Sequence, residues 1–320
     1  MSEPIEAIGH ALEAYWTSPI PLIVVFACLA SIGTLVYVFA TNARNAKLRV
    51  SLLTGVYSVS IFFWVFLATS LVLCLSLAPM VAYRSGGVPA AAGGAVLASL
   101  ALSGVVSLVA WRRGADRLLR KIPNREPLGA ERWIVDYATL IGRFEQLPPV
   151  EIRVAEDRKP LAMAVSGRRH VVILSTGLLQ DLDRDEVETV VTHELMHIKN
   201  HDSRFKVVSS VLSRFLFFDP FSKFFDPAVH REREYLADEM SGRTTGKPAS
   251  LASALLKIHE RANGRPRALA GLSIVGREGS IFSRFPPVRE RINRLILLSE
   301  ILPRSRNGTP IGPDSGWAKG

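Results

Sequence analysis

The sequence contains only two cysteines among its 320 residues, Cys28 and Cys74, and both lie in apolar stretches. Two such cysteines cannot build a disulfide framework, and neither has the spacing of a thiolate metal site. The first 19 residues contain no lysine or arginine, which excludes the positively charged start of a secretory signal peptide. Basic residues outnumber acidic ones by 39 to 29, but no basic patch interleaved with aromatic residues indicates a nucleic-acid partner.

Charge is also absent from three long stretches in the first third of the chain. Residues 20–40 form the first, which is long enough to cross a hydrocarbon core of about 30 Å. Within the uncharged run at 52–83 we predict one long span at 57–82. Residues 88–111 form the third, and their small side chains favour close helix packing. These stretches predict a membrane domain over residues 1–111 that contacts the lipid bilayer.

Basic residues flank these stretches unevenly. Arg44, Lys47 and Arg49 follow the first stretch. A stronger run follows the third: Arg112, Arg113, Arg117, Arg120, Lys121 and Arg125. Because lysine and arginine mark the cytoplasmic side of membrane proteins, we expect a multi-pass cell-membrane protein with its N-terminus outside. The chain after a basic connector, residues 112–130, is then cytoplasmic.

Residues 131–302 predict an α+β domain with a small sheet, so the fold class is a mostly α membrane protein with a soluble domain. A strand pair at 160–175 can accept a peptide as an added strand, or it can only cover the helix that follows it. The Phe-rich segment at 205–225 predicts an interfacial or partly buried hairpin. Residues 264–284 predict a mobile loop, and the Pro/Gly-rich tail at 303–320 predicts disorder.

The chemistry concentrates in the segment Thr192-His193-Glu194-Leu195-Met196-His197, which contains an H-E-x-x-H motif. Positions i and i+4 share one face of a helix, so His193 and His197 can hold one metal ion together. Asp183 and Glu186 form a capping-box-like start, D-x-x-E, for this helix. Glu194 follows the first ligand and can reach a water molecule at the metal.

A third ligand must come from elsewhere, and Glu234 is the best-placed candidate. It begins an E-x-x-A-D pattern that puts Asp238 one helical turn further on the same face. His201 lies on nearly the same face as His193 and is an alternative ligand. However, the longer motif with a third histidine needs it ten residues after the first, where this chain has Ser203.

Two histidines and one carboxylate predict a zinc ion, one per chain, with an open position for water. Zinc lowers the pKa of water and polarises the scissile carbonyl. Glu194 would be the general base that passes the proton to the leaving amine. Asp238 would accept the free ring N–H of a zinc histidine. His230, near Glu234, is a candidate for contact with the reaction centre.

Several segments together resemble the membrane gluzincins of the HtpX and CAAX-prenyl-protease family. The segments that carry the resemblance are Leu174 to Leu179, His193 to Asp202, Glu234 to Asp238 and Phe285 to Ile292. The resemblance implies zinc ligands His193, His197 and Glu234, a catalytic Glu194 and a supporting Asp238.

The same resemblance implies two further features, and the sequence departs from the family pattern at one position. Arg291 would come near the active site as a transition-state or substrate contact. Ala162, Met163 and Ala164 would form the edge strand that binds substrate. Phe285 stands where the family has a histidine before paired prolines.

The expected function is a membrane-anchored zinc endopeptidase that cleaves membrane or membrane-proximal proteins on the cytoplasmic side, in protein quality control. The section from Phe215 to Asp238 is also similar to BlaR/MecR sensor peptidases, which have several N-terminal spans and cleave cytoplasmic regulators. A sensor peptidase is therefore an alternative function. A non-catalytic, zinc-stabilised membrane scaffold is another, although it would not require Glu194.

Overall fold

The computed structural model describes residues 2–41, 46–84, 86–166, 169–202, 220–262 and 285–302. The chain divides into two compact units: Met1–Ala110 with Val208–Val229, and Trp111–Val207 with His230–Gly320. The predicted loop at 264–284, the tail at 303–320 and residues 205–219 of the Phe-rich segment lie outside the described residues. The units are called here the membrane unit and the peptidase unit.

The membrane unit is helical throughout its described part. Its helices are α1 (Ser2–Thr17), α2 (Pro19–Thr41), α3 (Ala46–Ser76), α4 (Ala78–Tyr83) and the first part of α5 (Gly87–Lys121). Three stretches are long and apolar enough to cross a membrane, namely Pro19–Ala40, Val50–Ser76 and Gly87–Val105. Many of their large apolar side chains are exposed, as expected for surfaces that face lipid rather than water.

The second and third stretches differ in extent from the sequence prediction. The second begins at Val50 and ends at Ser76, rather than covering 57–82. Pro79 lies in the first turn of α4, where its missing N–H costs no helical hydrogen bond, and the chain starts a new helix there. Helix α5 continues without a break to Lys121, so most of the predicted connector is helical.

Helix α1 is not foreseen by the hydropathy pattern, because its acidic residues hide a narrow apolar face. Ala7, Ala11 and Tyr15 recur at intervals of four and are buried. Helix α1 packs against α4, and the Tyr15 hydroxyl donates to Ser70 Oγ of α3 at 2.8 Å. A polar contact between the hydroxyls of Thr69 and Ser99, 2.8 Å apart, links α3 to α5.

The peptidase unit combines a four-stranded sheet with helices. Its strands are β1 (Asn124–Arg125), β2 (Val150–Ala155), β3 (Ala162–Ser166) and β4 (His170–Ser175). Its described helices, besides the end of α5 and a 3₁₀ turn at Gly129–Glu131, are α6 (Arg132–Phe144), α7 (Thr176–Asp181), α8 (Arg184–Lys199), α9 (Pro220–Thr245, from His230 onward), α10 (Pro248–Ala262) and α11 (Val288–Ile301). The membrane helices and the small sheet confirm the predicted fold class.

The sheet has the order β1-β2-β4-β3, with β2 and β4 parallel and both outer pairs antiparallel. Side chains alternate between its two faces, as the period of two requires. On β4, Val172 and Leu174 join the main core with α6, α8, α10 and α11, whereas Val171 and Ile173 join a smaller cluster on the other face. Strand β3 is the edge strand next to this core, and α8 packs on it.

Helix α8 begins where the sequence predicts, because its capping box forms. The Asp183 carboxylate accepts from the Glu186 backbone N–H at 2.9 Å, and Glu186 accepts from the Asp183 N–H at 2.9 Å. Glu186 is buried and also accepts from Ser253 and Lys257 of α10. The cap therefore fixes the start of α8 and attaches α10 to it.

Candidate metal centre

Helices α8 and α9 bring together three buried side chains that can hold a metal ion: His193, His197 and Glu234. Their potential ligand atoms all lie within 4.8 Å of one another. The two Nε2 atoms of His193 and His197 are 3.1 Å apart. The Glu234 carboxylate oxygens lie 3.6 Å from Nε2 of His193 and 3.5 Å from Nε2 of His197.

Each of the two imidazoles has a carboxylate beside its Nδ1 atom, and the two Nε2 atoms face each other. Nδ1 of His193 lies 3.0 Å from Asp238 Oδ1, and Nδ1 of His197 lies 2.8 Å from Asp202 Oδ2. A neutral imidazole that donates from Nδ1 keeps a lone pair on Nε2. With Nδ1 as the donor, both Nε2 atoms and the carboxylate of Glu234 face one another in a buried space that can hold a cation.

The spacing of the three groups suits zinc. Tetrahedral zinc has bonds of about 2.0–2.1 Å to nitrogen and oxygen, so neighbouring ligand atoms stand roughly 3.3 Å apart. The three observed separations, 3.1, 3.5 and 3.6 Å, bracket that value. Three protein ligands also leave one position open, which is the arrangement of catalytic rather than structural zinc sites.

The buried charges named at this centre also favour a cation. The acidic side chains of this set are Glu194, Asp202, Glu234 and Asp238, and its arginines are Arg233 and Arg291. Fully ionised, this set has an excess of two negative charges. Burying uncompensated charge is costly, and a divalent ion would neutralise the excess.

Asp238 lies between Arg291 and His193. Arg291 donates to it from Nε and Nη2, each at 2.7 Å, while its Nη1 lies 3.4 Å from Glu234 Oε2. Burial alone would raise the pKa of Asp238, but the charge and hydrogen bonds of Arg291, with those of His193, hold this pKa below its usual value. Asp238 therefore remains a carboxylate that can orient His193.

Arg291 lies near the centre, as the resemblance implies, where its guanidinium contacts Asp238 and Glu234. Burial lowers the pKa of Arg291, but the charges of Asp238, Glu234 and Glu194 raise it further than burial lowers it. The guanidinium is only 1% exposed. The guanidinium therefore lies beside both the ligand candidate Glu234 and the carboxylate of Asp238.

The remaining predicted residues have the following places. Glu194 is buried on α8 beside His193, close enough to Arg291 for its charge to act on it. His230 is buried on α9 one turn before Glu234. Phe285 is half-buried and precedes Pro286 and α11. His201, the alternative ligand, is exposed past the end of α8.

Two residues at the centre were not assigned a role there from sequence: Asp202 and Arg233. Asn200 ends α8, and His201 adopts a positive φ of 57°, which turns the chain so that Asp202 points back to His197. Arg233 of α9 donates from Nη1 to the other oxygen of Asp202. Arg233 precedes Glu234, and the E-x-x-A-D pattern gave no reason to include it.

The edge strand lies where it was predicted. Ala162 and Met163 of β3 are buried and Ala164 is half-buried, and β3 packs against α8. Among the strands that the structure describes, β3 pairs with β4, through the register Ala162↔Leu174 to Ser166↔His170. Covering the metal helix and offering a sheet edge are therefore compatible roles.

The fold and this site define the class as a membrane metallopeptidase, and comparisons with known proteins agree. Residues 146–287 match the BlaR1 peptidase M56 family. A Protease HtpX homolog of Dictyoglomus thermophilum is 30% identical over 239 residues, which cover 61% of this chain and 79% of that protein. A Protease HtpX homolog of Pyrococcus furiosus is 32% identical over 194 residues, which cover 47% of this chain and 67% of that protein.

The chain therefore belongs to the HtpX-like family of membrane proteases. A solved structure, that of S. mikatae Ste24p, aligns with 87% of this chain and 99% of its own at 12% identity and a TM-score of 0.41. Membership in the family makes peptides or proteins the substrates, and the three apolar helices make the lipid bilayer a partner of the chain.

Proposed function

We propose that the chain is a zinc-dependent endopeptidase that cleaves membrane or membrane-proximal proteins on the cytoplasmic side, in protein quality control. The observation that carries the proposal is the convergence of His193, His197 and Glu234, with acceptor atoms 3.1 to 3.6 Å apart, beside a buried Glu194. We assign one zinc ion per chain to these three ligands, Glu194 as the general base and Asp238 as the support of His193.

Zinc bound there would supply a Lewis acid that polarises the scissile carbonyl and makes water more acidic. Glu194 takes a proton from the attacking water and delivers it to the leaving amine. Asp238 and Asp202 hold the two imidazoles with Nδ1 protonated, so that both Nε2 atoms stay available. The burial of these groups excludes bulk water and strengthens their interactions.

The substrate binds, in this proposal, as an added strand along β3. An extended peptide that pairs with a sheet edge gains backbone hydrogen bonds independent of its sequence. Residues Ala162, Met163 and Ala164 supply that edge, and the packing of β3 on α8 holds it beside the helix that carries Glu194. Sequence-independent binding suits an enzyme that removes many damaged proteins.

The cytoplasmic location rests on charge. Arg44 and Lys47 follow the first candidate span, and the chain is basic again after the third, where α5 leaves the apolar stretch ending at Val105. The positive-inside rule then assigns the N-terminus to the outside and everything after α5 to the cytoplasm. A cysteine introduced near Glu3 should react with an impermeant thiol reagent in intact cells, and one introduced near Leu302 should not.

The substrate class is tested by comparing membrane proteomes. Cells that express the wild type should have lower levels of particular membrane proteins than cells that express Glu194→Gln at the same abundance. Asp136→Asn, an exposed change on α6, is the matched control and should behave as the wild type. Identical proteomes for the wild type and Glu194→Gln would contradict a role in membrane-protein turnover.

A second function is favoured by the match of residues 146–287 to the BlaR1 peptidase M56 family. In that case the chain would be a sensor peptidase that cleaves one cytoplasmic regulator after an outside stimulus. The proteome comparison distinguishes the two functions. A single soluble protein that accumulates in Glu194→Gln cells, and whose cleavage depends on a stimulus, would favour the sensor.

A further inference from the structure

The second ligand histidine has its own support, separate from the one that serves the first. Asp202 accepts from His197 Nδ1 at 2.8 Å through one carboxylate oxygen and from Arg233 Nη1 through the other. All three side chains are buried, Asp202 completely. The chain of contacts therefore runs from Arg233 through Asp202 to the imidazole, within the peptidase unit.

This arrangement matches the support of His193 in its chemistry but not in its origin. Arg291 of α11 holds Asp238 of α9, which faces His193 of α8. For His197 the supporting residues come from other elements: the carboxylate of Asp202 follows the end of α8, and the guanidinium of Arg233 comes from α9. Helix α9 therefore contributes to the support of both histidines, as a carboxylate for one and as a guanidinium for the other.

We propose that Arg233 is a positioning residue for the metal centre, acting on His197 through Asp202. The proposal rests on the metal site of the proposed function and adds a residue to it. Asp202 follows a non-glycine residue with positive φ, His201, so helix geometry alone does not hold its carboxylate in place. The buried guanidinium fixes that carboxylate, which in turn fixes the ring and the tautomer of His197.

The position of Arg233 next to Glu234 gives the support a further consequence. Consecutive residues of α9 deliver the third ligand and the anchor of the second ligand. A movement of this turn of α9 would therefore disturb two of the three ligands together. We expect metal retention to depend on Arg233, because it acts on His197 through Asp202.

The test measures zinc affinity of the full-length protein in detergent, by competition with a chromophoric chelator. Arg233→Gln should raise the zinc dissociation constant roughly 10- to 100-fold, the usual cost of losing such a supporting partner. Arg233→Lys should recover part of that loss, because an ammonium can still pair with Asp202. Arg243→Gln is the matched control, an exposed arginine on the same helix paired with Glu239, and should leave the constant unchanged.

A double-variant cycle separates this role from a general structural one. If Arg233 acts through Asp202, then adding Arg233→Gln to Asp202→Asn should weaken zinc binding little beyond Asp202→Asn alone. The visible spectrum of the cobalt-substituted protein should change in both single variants and stay unchanged in Arg243→Gln. If Arg233→Gln fails to fold, Arg233→Lys in the wild-type and Asp202→Asn backgrounds completes the same cycle.

Two results would overturn the proposal: wild-type zinc affinity in Arg233→Gln, or effects of the two substitutions that multiply in the double variant. A wild-type protein that binds no zinc would be a different failure. It would remove the proposed metal site itself, and it is seen before any variant is compared.

Discussion

Arg291 donates to both carboxylate oxygens of Asp238, each at 2.7 Å, where both side chains are buried. The bond is bidentate and charge-assisted, which makes it stronger and more directional than a neutral hydrogen bond. Because Asp238 also lies 3.0 Å from Nδ1 of His193, the pair joins α11, α9 and α8 at one point. The last described helix of the chain thus stabilises the metal centre, although Arg291 and Asp238 are more than fifty positions apart in the sequence.

Replacing Arg291 should therefore damage stability as well as metal binding. Arg291→Gln leaves the Asp238 carboxylate buried without its partner, which typically costs about 3–5 kcal/mol. The melting temperature of the purified protein should fall by roughly 10 °C. Arg289→Gln, an exposed change two residues earlier on the same helix, should shift it by only a degree or two. Equal shifts in the two variants would show that the buried pair is not stabilising.

Much of the metal centre follows from local periodicity. His193 and His197 share a helix face by their spacing of four, and the same spacing on α9 relates Glu234 to Asp238. The capping box at Asp183 is equally local, because it joins residues three positions apart. Such contacts can be predicted because one helix fixes both partners.

The contacts that escaped prediction depend on turns and on distant partners. Asp202 reaches His197 only because His201 takes a left-handed conformation. Glycine and asparagine adopt this conformation more readily than histidine, so the sequence gives no sign of it. Arg233 reaches Asp202 across 31 positions. The packing of α1 on α4 also joins distant segments, and the three glutamates of α1 concealed its apolar face.

The stability of the peptidase unit should depend on Tyr137 at alkaline pH. Burial raises the pKa of Tyr137 to about 12, against a usual value near 10, and its hydroxyl lies 2.9 Å from Thr192 Oγ1. A raised pKa stabilises the folded state below pH 10, and this contribution is lost as the pH rises toward 12.

The measurement is the free energy of unfolding at pH 9 and at pH 11. The wild type should lose roughly 1 kcal/mol more than Tyr137→Phe over that interval, because only the wild type has this ionisable group. Tyr137→Phe should also be less stable by about 1 kcal/mol at pH 7, since it lacks the hydrogen bond to Thr192. Parallel losses for the two proteins would contradict the assigned pKa.

Binding of substrate along β3 predicts an alternating response to N-methylation of a peptide substrate. Successive backbone N–H groups of an extended strand point to opposite sides, so only every second one can pair with β3. Methylating a pairing N–H should raise KM several-fold, whereas methylating its neighbour should not. The two peptides have the same composition and serve as controls for each other. A KM that rises equally at all positions would contradict strand addition.

The most direct test of the account compares zinc content and peptide cleavage in the wild type and Glu194→Gln. The substitution keeps the shape of the side chain and leaves His193, His197 and Glu234 in place, but it removes the general base. We predict about one zinc ion per chain in both proteins, with cleavage in the wild type and a loss of at least 100-fold in the variant. Full cleavage by Glu194→Gln, or a wild type that holds zinc and cleaves no peptide, would contradict the account.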